Sequence, residues 1–411
     1  MLETPLKTTG PRRKRICLMF CGGTIAMARN PESGALEPKL TPEQLYSLAP
    51  KIKDHADIAH VVKITDKDSS DIDSSDWKKM CRFIHQNQDK YDAFVMTHGT
   101  DTMAYTANAI AYAFGKSLKK PVVITGSMAE PDALRSDAAS NIEGAVATAI
   151  STRRPEVLIS FDRLVLRGTR ARKVRETGFD AFSSTSKALA EHMGGRPAWN
   201  VTSNPARPAF ISDKFKPMFS QRVITIPLES GQDADFINRR LLGEDDQVDR
   251  FAKGLFGDAR PRGFQTKYFS RRPMTRQQIL EEKKRKEERL NGLVWESLGS
   301  GNVPAVHHAT LKRALDLNVP IVVVSSYPGR TLNMTAYAPG LEALKIGAIP
   351  AGDMTREAAS VKLKWLLGVA EHEISKGRMD RRNLVAFVRN QFFKSRAKEI
   401  TLPKRKSGRA A

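Results

Sequence analysis

Three stretches of small polar residues, each following an apolar run, contain the hydroxyl and carboxyl groups that hydrolytic chemistry requires. They are residues 22–26, 68–71 and 98–102. In an open parallel sheet, ligands bind beyond the carboxyl ends of the strands. If the three apolar runs are neighbouring strands of such a sheet, the three stretches lie at one edge and form one site.

The first stretch places a threonine after two glycines. Gly22 and Gly23 would let a ligand approach the backbone and leave amide N–H groups to stabilise an oxyanion, with the Thr24 hydroxyl exposed as a nucleophile. By itself the pattern also fits a tight turn or a phosphate-binding loop. The phosphate alternative is weakened because neither a Lys-Ser/Thr pair nor a correctly spaced third glycine follows.

The third stretch joins a neutral hydroxyl to a carboxylate. Thr100 and Asp101 together could bind a polar substrate and organise a base, or one of them could simply cap the helix that runs to Phe114. His98 near Asp101 suggests a metal, but two candidate ligands do not form a metal site. We therefore predict neither a metal nor another cofactor.

The elements that must position these loops follow a doubly wound α/β pattern. Strands are predicted at residues 16–21, 59–64, 93–97, 122–125 and 157–160. Their apolar residues do not alternate with polar ones, so both faces of a mainly parallel, flavodoxin-like sheet are expected to be covered. Ser75 is placed to cap the helix that contains Trp77.

A second, smaller α/β domain has predicted strands at 223–226, 293–295 and 321–324 and a helix at 355–367.

Length and charge set the predicted domain limits. A chain of 411 residues suits two domains, at 16–205 and 206–375. The net charge of +22 is concentrated in residues 1–15 (+4), 239–290 (+6) and 376–411 (+10). We interpret these as a basic N-terminal extension, a charged insertion at about 243–291, and a basic tail that is partly disordered apart from an amphipathic piece at 384–393. Weak contact with a polyanion is one role that such additions could have.

The composition indicates a protein of a reducing compartment, and we predict a cytoplasmic location. Cys17, Cys21 and Cys81 are too few and too irregularly spaced for a disulfide framework or a four-ligand zinc site, so we expect small buried residues. No run of about 18 apolar residues is present, and the basic start leads into no cleavage-site pattern. Neither a membrane span nor a secretory signal is therefore predicted.

Several motifs, in the same order along the chain, resemble those of the L-asparaginase family, specifically its cytoplasmic type I branch. The matching segments are residues 22–26, 68–71 with Trp77, 97–107, 125–128, 135–137, 167–173 and 178–182, and in the second domain 299–302 and 352–355. The resemblance runs from about residue 16 to 367, apart from the insertion. It implies an amidohydrolase that converts L-asparagine to L-aspartate and ammonia and assembles as a homodimer or homotetramer.

The resemblance also implies catalytic roles. Thr24 would attack the side-chain amide carbon and form an acyl-enzyme. Thr100, Asp101 and Lys173 would form a relay, in which burial lowers the pKa of Lys173 and Asp101 holds its amine. From the residues alone, Lys173 would be an ordinary surface lysine among arginines.

Substrate recognition follows in the same way from the resemblance. Ser69 and Ser70 would bind the α-carboxylate of a free amino acid and Asp101 its α-ammonium, with Asp68 and Ser127 lining the same pocket. The family usually carries a lid tyrosine about ten residues after the nucleophile, but residues 33–38 contain none. Tyr46 or another tyrosine could replace it, the lid could work differently, or the enzyme could be weak or have another substrate.

Two alternatives stay open. The first is an ammonia-generating subunit like that of the archaeal tRNA-dependent amidotransferase, which the basic additions favour. That subunit carries an extra domain where this chain has about fifteen residues ahead of its first predicted strand. The second is a catalytically impaired amino-acid or nucleic-acid binding protein on the same fold, which the missing tyrosine favours.

Overall fold

The computed structural model describes residues 12–29, 32, 34, 36–38, 40–200, 214–229, 290–327 and 331–401. The chain divides into two compact units, one formed by Met1–Met218 with Lys394–Ala411 and the other by Phe219–Phe393. Almost all of the predicted insertion lies outside the described residues, as does the predicted boundary between residues 205 and 206.

The first unit is built on an eight-stranded sheet with the order β12-β11-β8-β7-β6-β5-β1-β4. Its strands, with those of two small hairpins, are β1 (Arg15–Cys21), β2 (Met27–Arg29), β3 (Leu36–Pro38), β4 (Asp57–Thr65), β5 (Ala93–His98), β6 (Val122–Thr125), β7 (Val157–Phe161), β8 (Leu164–Arg167), β9 (Ala171–Lys173), β10 (Phe182–Ser184), β11 (Ala190–Met193) and β12 (Arg196–Trp199). The five strands predicted from the sequence pair in parallel, and β8, β11 and β12 continue the sheet antiparallel. The predicted doubly wound, mainly parallel sheet is confirmed.

Helices cover both faces of this sheet, which explains why its strands lack alternation. The helices are α1 (Pro42–Ser47), α2 (Ile52–His55), α3 (Ser74–Asn87), α4 (Met103–Phe114) and α5 (Ala138–Ser151). Leu18 of β1 belongs to a core cluster with Ile142 and Val146 of α5. Its neighbours Cys17 and Met19 point to the opposite face and are also fully buried. The three cysteines are buried and free, as predicted, and burial raises the pKa of Cys17 to about 12.

The caps of α3 and α4 differ from the predictions. Asp73, not Ser75, caps α3, because its carboxylate accepts hydrogen bonds from the backbone N–H groups of Ser75 and Asp76. Helix α4 begins after Thr102, so neither Thr100 nor Asp101 occupies its cap position. Both side chains are thereby left for other contacts.

The second unit contains a smaller parallel sheet with the order β13-β14-β15-β16. Its elements are β13 (Val223–Pro227), β14 (Gly292–Ser297), α6 (His308–Asp316), β15 (Ile321–Ser325), α7 (Ala338–Ile346), β16 (Ile349–Pro350), α8 (Arg356–Ser375) and α9 (Leu384–Phe392). The predicted strands are found, and the predicted helix continues beyond residue 367 to Ser375. Thr355 of the 352–355 motif caps α8 by accepting a hydrogen bond from the Ala358 N–H, a structural role.

Residues 376–401 of the predicted basic tail are ordered, with α9 at the position of the predicted amphipathic piece, and residues 402–411 lie outside the described residues. Helix α9 packs on α8, where the fully buried Lys362 amine donates to the Phe392 carbonyl at 2.5 Å. Residues 395–401, here called the C-terminal strap, belong to the first unit, with Arg396 and Glu399 buried. Within the described residues, no helix combines the length and apolar content that crossing a membrane requires.

Candidate active site

The three polar stretches come together because their strands end side by side. Cys21 of β1 lies opposite Thr65 of β4 and His98 of β5, so the following loops leave the sheet at one level. Their contact depends on two glycines. A side chain on Gly23 would collide with the Gly99 backbone, and one on Gly99 would collide with Ser69. The sequence prediction that these loops share one edge is therefore confirmed.

The Thr24 backbone is set by the glycines before it. Gly22 and Gly23 have φ of 73° and 85°, a region that glycine adopts without strain. A short 3-10 turn, Thr24–Ala26, follows, in which Ile25 is fully buried and Thr24 is half-buried at the start. Burial of Ile25 holds the turn in place, and Thr24 lies beside the loop that contains Gly99.

Lys173 and Asp101 form the central ion pair of the candidate site. The Lys173 Nζ lies 2.6 Å from Asp101 Oδ1 and 2.9 Å from Glu176 Oε2. The Lys173 side chain is only 14% exposed, whereas Asp101 is 56% exposed. The amine is thus shielded and points at the carboxylate that the resemblance assigns to it. Glu176, a second partner, was not predicted from the sequence.

The protonation of Lys173 differs from the expectation. Burial lowers the pKa of this amine, but its hydrogen bonds to Asp101 and Glu176 outweigh burial and raise the pKa above its ordinary value. The expected lowered pKa is therefore wrong for the protein without substrate, where Lys173 is an ammonium group at neutral pH.

Residues 68–70 form a turn that orders the second loop. Asp68 Oδ1 accepts hydrogen bonds from the Ser70 N–H at 2.8 Å and the Ser70 hydroxyl at 2.6 Å. Ser69 is 2% exposed, and its carbonyl accepts the Thr102 hydroxyl at 2.6 Å. Since the Ser70 proton is directed at Asp68, that hydroxyl would have to rotate before it could donate to a substrate carboxylate.

Ser127 lies in the loop after β6 and is 1% exposed, and its hydroxyl has no hydrogen-bond partner in the part of the chain that the structure describes. The surrounding turn is well satisfied. Asp137 accepts from the N–H groups of Met128 and Ala129, and the Asn141 amide donates to both Asp137 and the Gly126 carbonyl. A buried hydroxyl without a partner inside an ordered turn is rare, and it offers a hydrogen bond to a ligand.

The structural roles of Asp137 and Asn141 were missed. Asp137 lies in the 135–137 motif of the family resemblance, yet nothing in its sequence context shows that it accepts hydrogen bonds from the backbone N–H groups of Met128 and Ala129, nine and eight residues earlier.

His98 serves the fold of the third loop. Its Nδ1 faces the Gly99 carbonyl at 2.7 Å and must donate, so Nε2 accepts the Thr106 hydroxyl at 2.9 Å. The Trp77 indole N–H in turn donates to Thr106 at 3.0 Å. Burial lowers the pKa of His98 to about 4, so the ring is neutral with both nitrogens engaged. In the described ranges, no group of three or more His, Cys, Asp or Glu side chains is placed to hold a metal ion.

Tyr46 lies on α1, with its side chain packed against the hydrophobic core of the first unit. This packing disfavours a role as a replacement lid tyrosine. Most of the stretch between β2 and α1, where the family carries its lid tyrosine, lies outside the described residues.

Comparison with known proteins gives the family. The family described as "Asparaginase, N-terminal" matches residues 15–205, and the "Glutaminase/Asparaginase C-terminal domain" matches residues 274–376. A glutamyl-tRNA(Gln) amidotransferase subunit of Aeropyrum pernix is 30% identical over 403 residues, covering 94% of this chain and 82% of that protein. L-asparaginase 1 of Escherichia coli is 29% identical over 363 residues, covering 87% and 92%.

A solved structure has the same fold. L-asparaginase I from Vibrio cholerae superimposes with a TM-score of 0.70 at 27% identity, covering 95% of this chain and all of that one. Since the two family models match in order and together cover more than half of the chain, the chain belongs to the asparaginase family.

Proposed function

We propose that the protein hydrolyses the side-chain amide of L-asparagine to L-aspartate and ammonia, with Thr24 as nucleophile. The observation that carries this proposal is the shielded Lys173–Asp101 pair, since Asp101 lies two residues after Gly99, which packs against Gly23, the residue before Thr24. In the proposed reaction, the Thr24 oxygen bonds to the amide carbon and its proton passes to the Thr100–Lys173 side of the site. The C–N bond breaks as this proton is delivered to the nitrogen, which leaves as ammonia. Water then adds to the ester, one of its protons returns to the Thr24 oxygen, and aspartate is released.

The substrate itself would prepare Lys173 for this proton transfer. An α-ammonium group bound at Asp101 competes for the carboxylate that holds the Lys173 amine and adds a nearby positive charge. Both effects favour the neutral amine, so substrate binding would lower the pKa of Lys173 towards that of a working base. The unpaired Ser127 hydroxyl, with Asp68, Ser69 and Ser70, would bind the remaining polar groups of the amino acid.

The test is Thr24→Ala assayed for ammonia release from L-asparagine. Loss of the nucleophile should lower kcat by about 10⁴-fold or more, while circular dichroism and the free energy of unfolding stay unchanged because Thr24 is only half-buried. Thr24→Ser, which keeps a hydroxyl, is the matched control and should retain measurable activity. Substantial ammonia release by the alanine variant would reject Thr24 as nucleophile.

A second candidate is an ammonia-generating subunit of a tRNA-dependent amidotransferase. It is favoured by the 30% identity with the Aeropyrum pernix amidotransferase protein, whose match covers 94% of this chain. Ammonia release assayed in parallel on L-asparagine, L-glutamine and D-asparagine separates the candidates. Activity on L-asparagine alone supports the first proposal, whereas dependence of activity on a partner and tRNA supports the second. Amino-acid binding with no ammonia release, either with or without a partner and tRNA, would indicate a catalytically impaired binding protein.

We also propose a homodimer or homotetramer in a reducing compartment such as the cytoplasm. Family membership supports the assembly. The three free, buried cysteines support a reducing compartment. Light scattering on the purified chain tests the assembly, and a monomer at micromolar concentration would contradict it.

A further inference from the structure

A cavity of about 220 Å³ lies in the first unit, away from the polar loops. Its walls come from the end of α4, the segments leading into β6 and β7, the region after β8 and the C-terminal strap. Because β6 and β7 enter the sheet here, the cavity is at the amino ends of these strands, whereas the candidate active site is at the carboxyl ends. At roughly 30 Å³ per water, the volume corresponds to about seven waters.

Three shielded side chains of the cavity wall form one charged group. Glu156 is bonded by both Arg167, at 2.8 Å, and Lys398. These three side chains are only 13%, 12% and 22% exposed. Arg396, 1% exposed, also lines the cavity, and its guanidinium donates to the carbonyls of Tyr112 and Lys214. One carboxylate thus serves two shielded cations, so the group formed by Glu156, Arg167 and Lys398 has one positive charge in surplus.

The environment of Lys398 reflects this surplus. Burial lowers the pKa of Lys398, and the neighbouring Arg167 and Arg154 lower it further, against the opposing effect of Glu156. Shielded positive charge without equal negative charge is unfavourable, and an anion in the cavity would relieve it. The rest of the wall is carbon, from residues such as Ala111, Leu118 and Val157, which a hydrated inorganic ion would leave without apolar contact.

We propose that this cavity binds a small carboxylate with a short aliphatic chain. The carboxylate would pair with Arg167 and Lys398, and the chain would lie against the apolar wall, which satisfies both halves of the site. This proposal does not depend on the reaction proposed above, because neither the cavity nor its test involves the Thr24 loop.

The experiment is isothermal titration of the full chain with sodium butyrate. We expect saturable binding with one site, and none with n-butylammonium, which has the same chain and the opposite charge. Inorganic phosphate should bind at least about tenfold more weakly than butyrate because it cannot use the apolar wall. Absence of saturable butyrate binding up to about 50 mM would overturn the proposal, as would equal binding of butylammonium or of phosphate.

Two variants with opposite expected effects locate the site. Lys398→Met removes one cation and should weaken butyrate binding about tenfold. Glu156→Gln removes the carboxylate that competes with the ligand and should tighten binding several-fold. Lys187→Met changes the same charge on an exposed lysine before β11 and should leave the affinity unchanged. Equal weakening by Lys398→Met and Lys187→Met would reject this cavity as the site.

Discussion

Lys173 shows how two neighbours can outweigh burial at a single residue. Its amine is shielded, which favours the neutral form, but two carboxylates bond to it and favour the ammonium form. Asp101 belongs to the family resemblance, whereas Glu176 lies three residues after Lys173 on the same segment and is 83% exposed. Glu176 therefore adjusts the protonation of Lys173 without itself being shielded from water.

The first prediction concerns Glu176→Gln. If neutral Lys173 is the base, kcat/KM rises with pH as the free enzyme loses the Lys173 proton. Removing one carboxylate lowers the pKa of Lys173, so this rise should occur at lower pH in the variant. The pH profile of kcat/KM for ammonia release measures the shift. Glu191→Gln, an exposed carboxylate on β11, is the control, and superimposable profiles for both variants would contradict the prediction.

The second prediction concerns stability and His98. The pKa of this buried ring is lowered from 6.5 to about 4, so the unfolded chain binds a proton that the folded protein does not. Stability from this group is complete above pH 6.5 and is lost as pH falls towards 4, by roughly 3 kcal/mol in total. Urea unfolding at neutral pH and at about pH 4.5 should show a steeper loss in the wild type than in His98→Gln. Equal losses would refute this account of His98.

At the level of elements, the C-terminal strap fastens two parts of the first unit. Arg396 reaches the carbonyl of Tyr112 on α4 at 2.5 Å. Thr169 donates to the Ala397 carbonyl at 2.9 Å, and Arg170 donates to the Lys398 carbonyl at 2.8 Å. The turn that contains Thr169 and Arg170 runs directly into β9. The strap therefore supports the segment that ends with Lys173.

The third prediction is that Arg396→Ala lowers the free energy of unfolding by about 2–4 kcal/mol, because it removes a buried side chain together with its hydrogen bonds to two backbone carbonyls. Arg382→Ala removes an arginine that is 87% exposed and should change stability by less than about 0.5 kcal/mol. Urea unfolding of both variants is the measurement. Similar losses would mean that the strap does not stabilise the first unit.

At the level of the whole molecule, the net charge is +22. The basic residues near the C-terminus that contribute to it are of two kinds. Within the strap, Arg396 is buried and Lys398 is paired with Glu156, so both have structural roles. Beyond Thr401, residues 402–411 contain four further lysines and arginines. These four are the better candidates for contact with a polyanion.

The fourth prediction is that truncation after Thr401 reduces retention on heparin at low salt, since polyanion affinity depends on the number of cations that displace counterions. A full-length variant with glutamine at these four positions should behave like the truncation. Unchanged retention in both would remove polyanion contact through these residues, while activity on asparagine should be the same in all three proteins.

The sequence by itself determined the parallel sheet and the edge at which the polar loops meet, whereas the pairing of Lys173 with Asp101 was implied only by the family resemblance. Short apolar runs that alternate with amphipathic helices predict strands with both faces covered, and parallel strands bring their following loops to one edge. The motifs contain Gly22, Gly23 and Gly99 because only glycine permits the backbone conformations and close contacts that bring the polar loops together.

Only the tertiary structure decided the protonation of Lys173, the caps of α3 and α4, and which basic residues of the tail are buried or paired. A pKa depends on distances to groups such as Glu176, which sequence spacing does not give. The strap pairs Lys398 with Glu156 across 242 positions of the chain. The high content of charged residues near the C-terminus predicts a solvent-exposed segment. A local sequence pattern cannot reveal that Lys398 has a buried partner so distant in the chain.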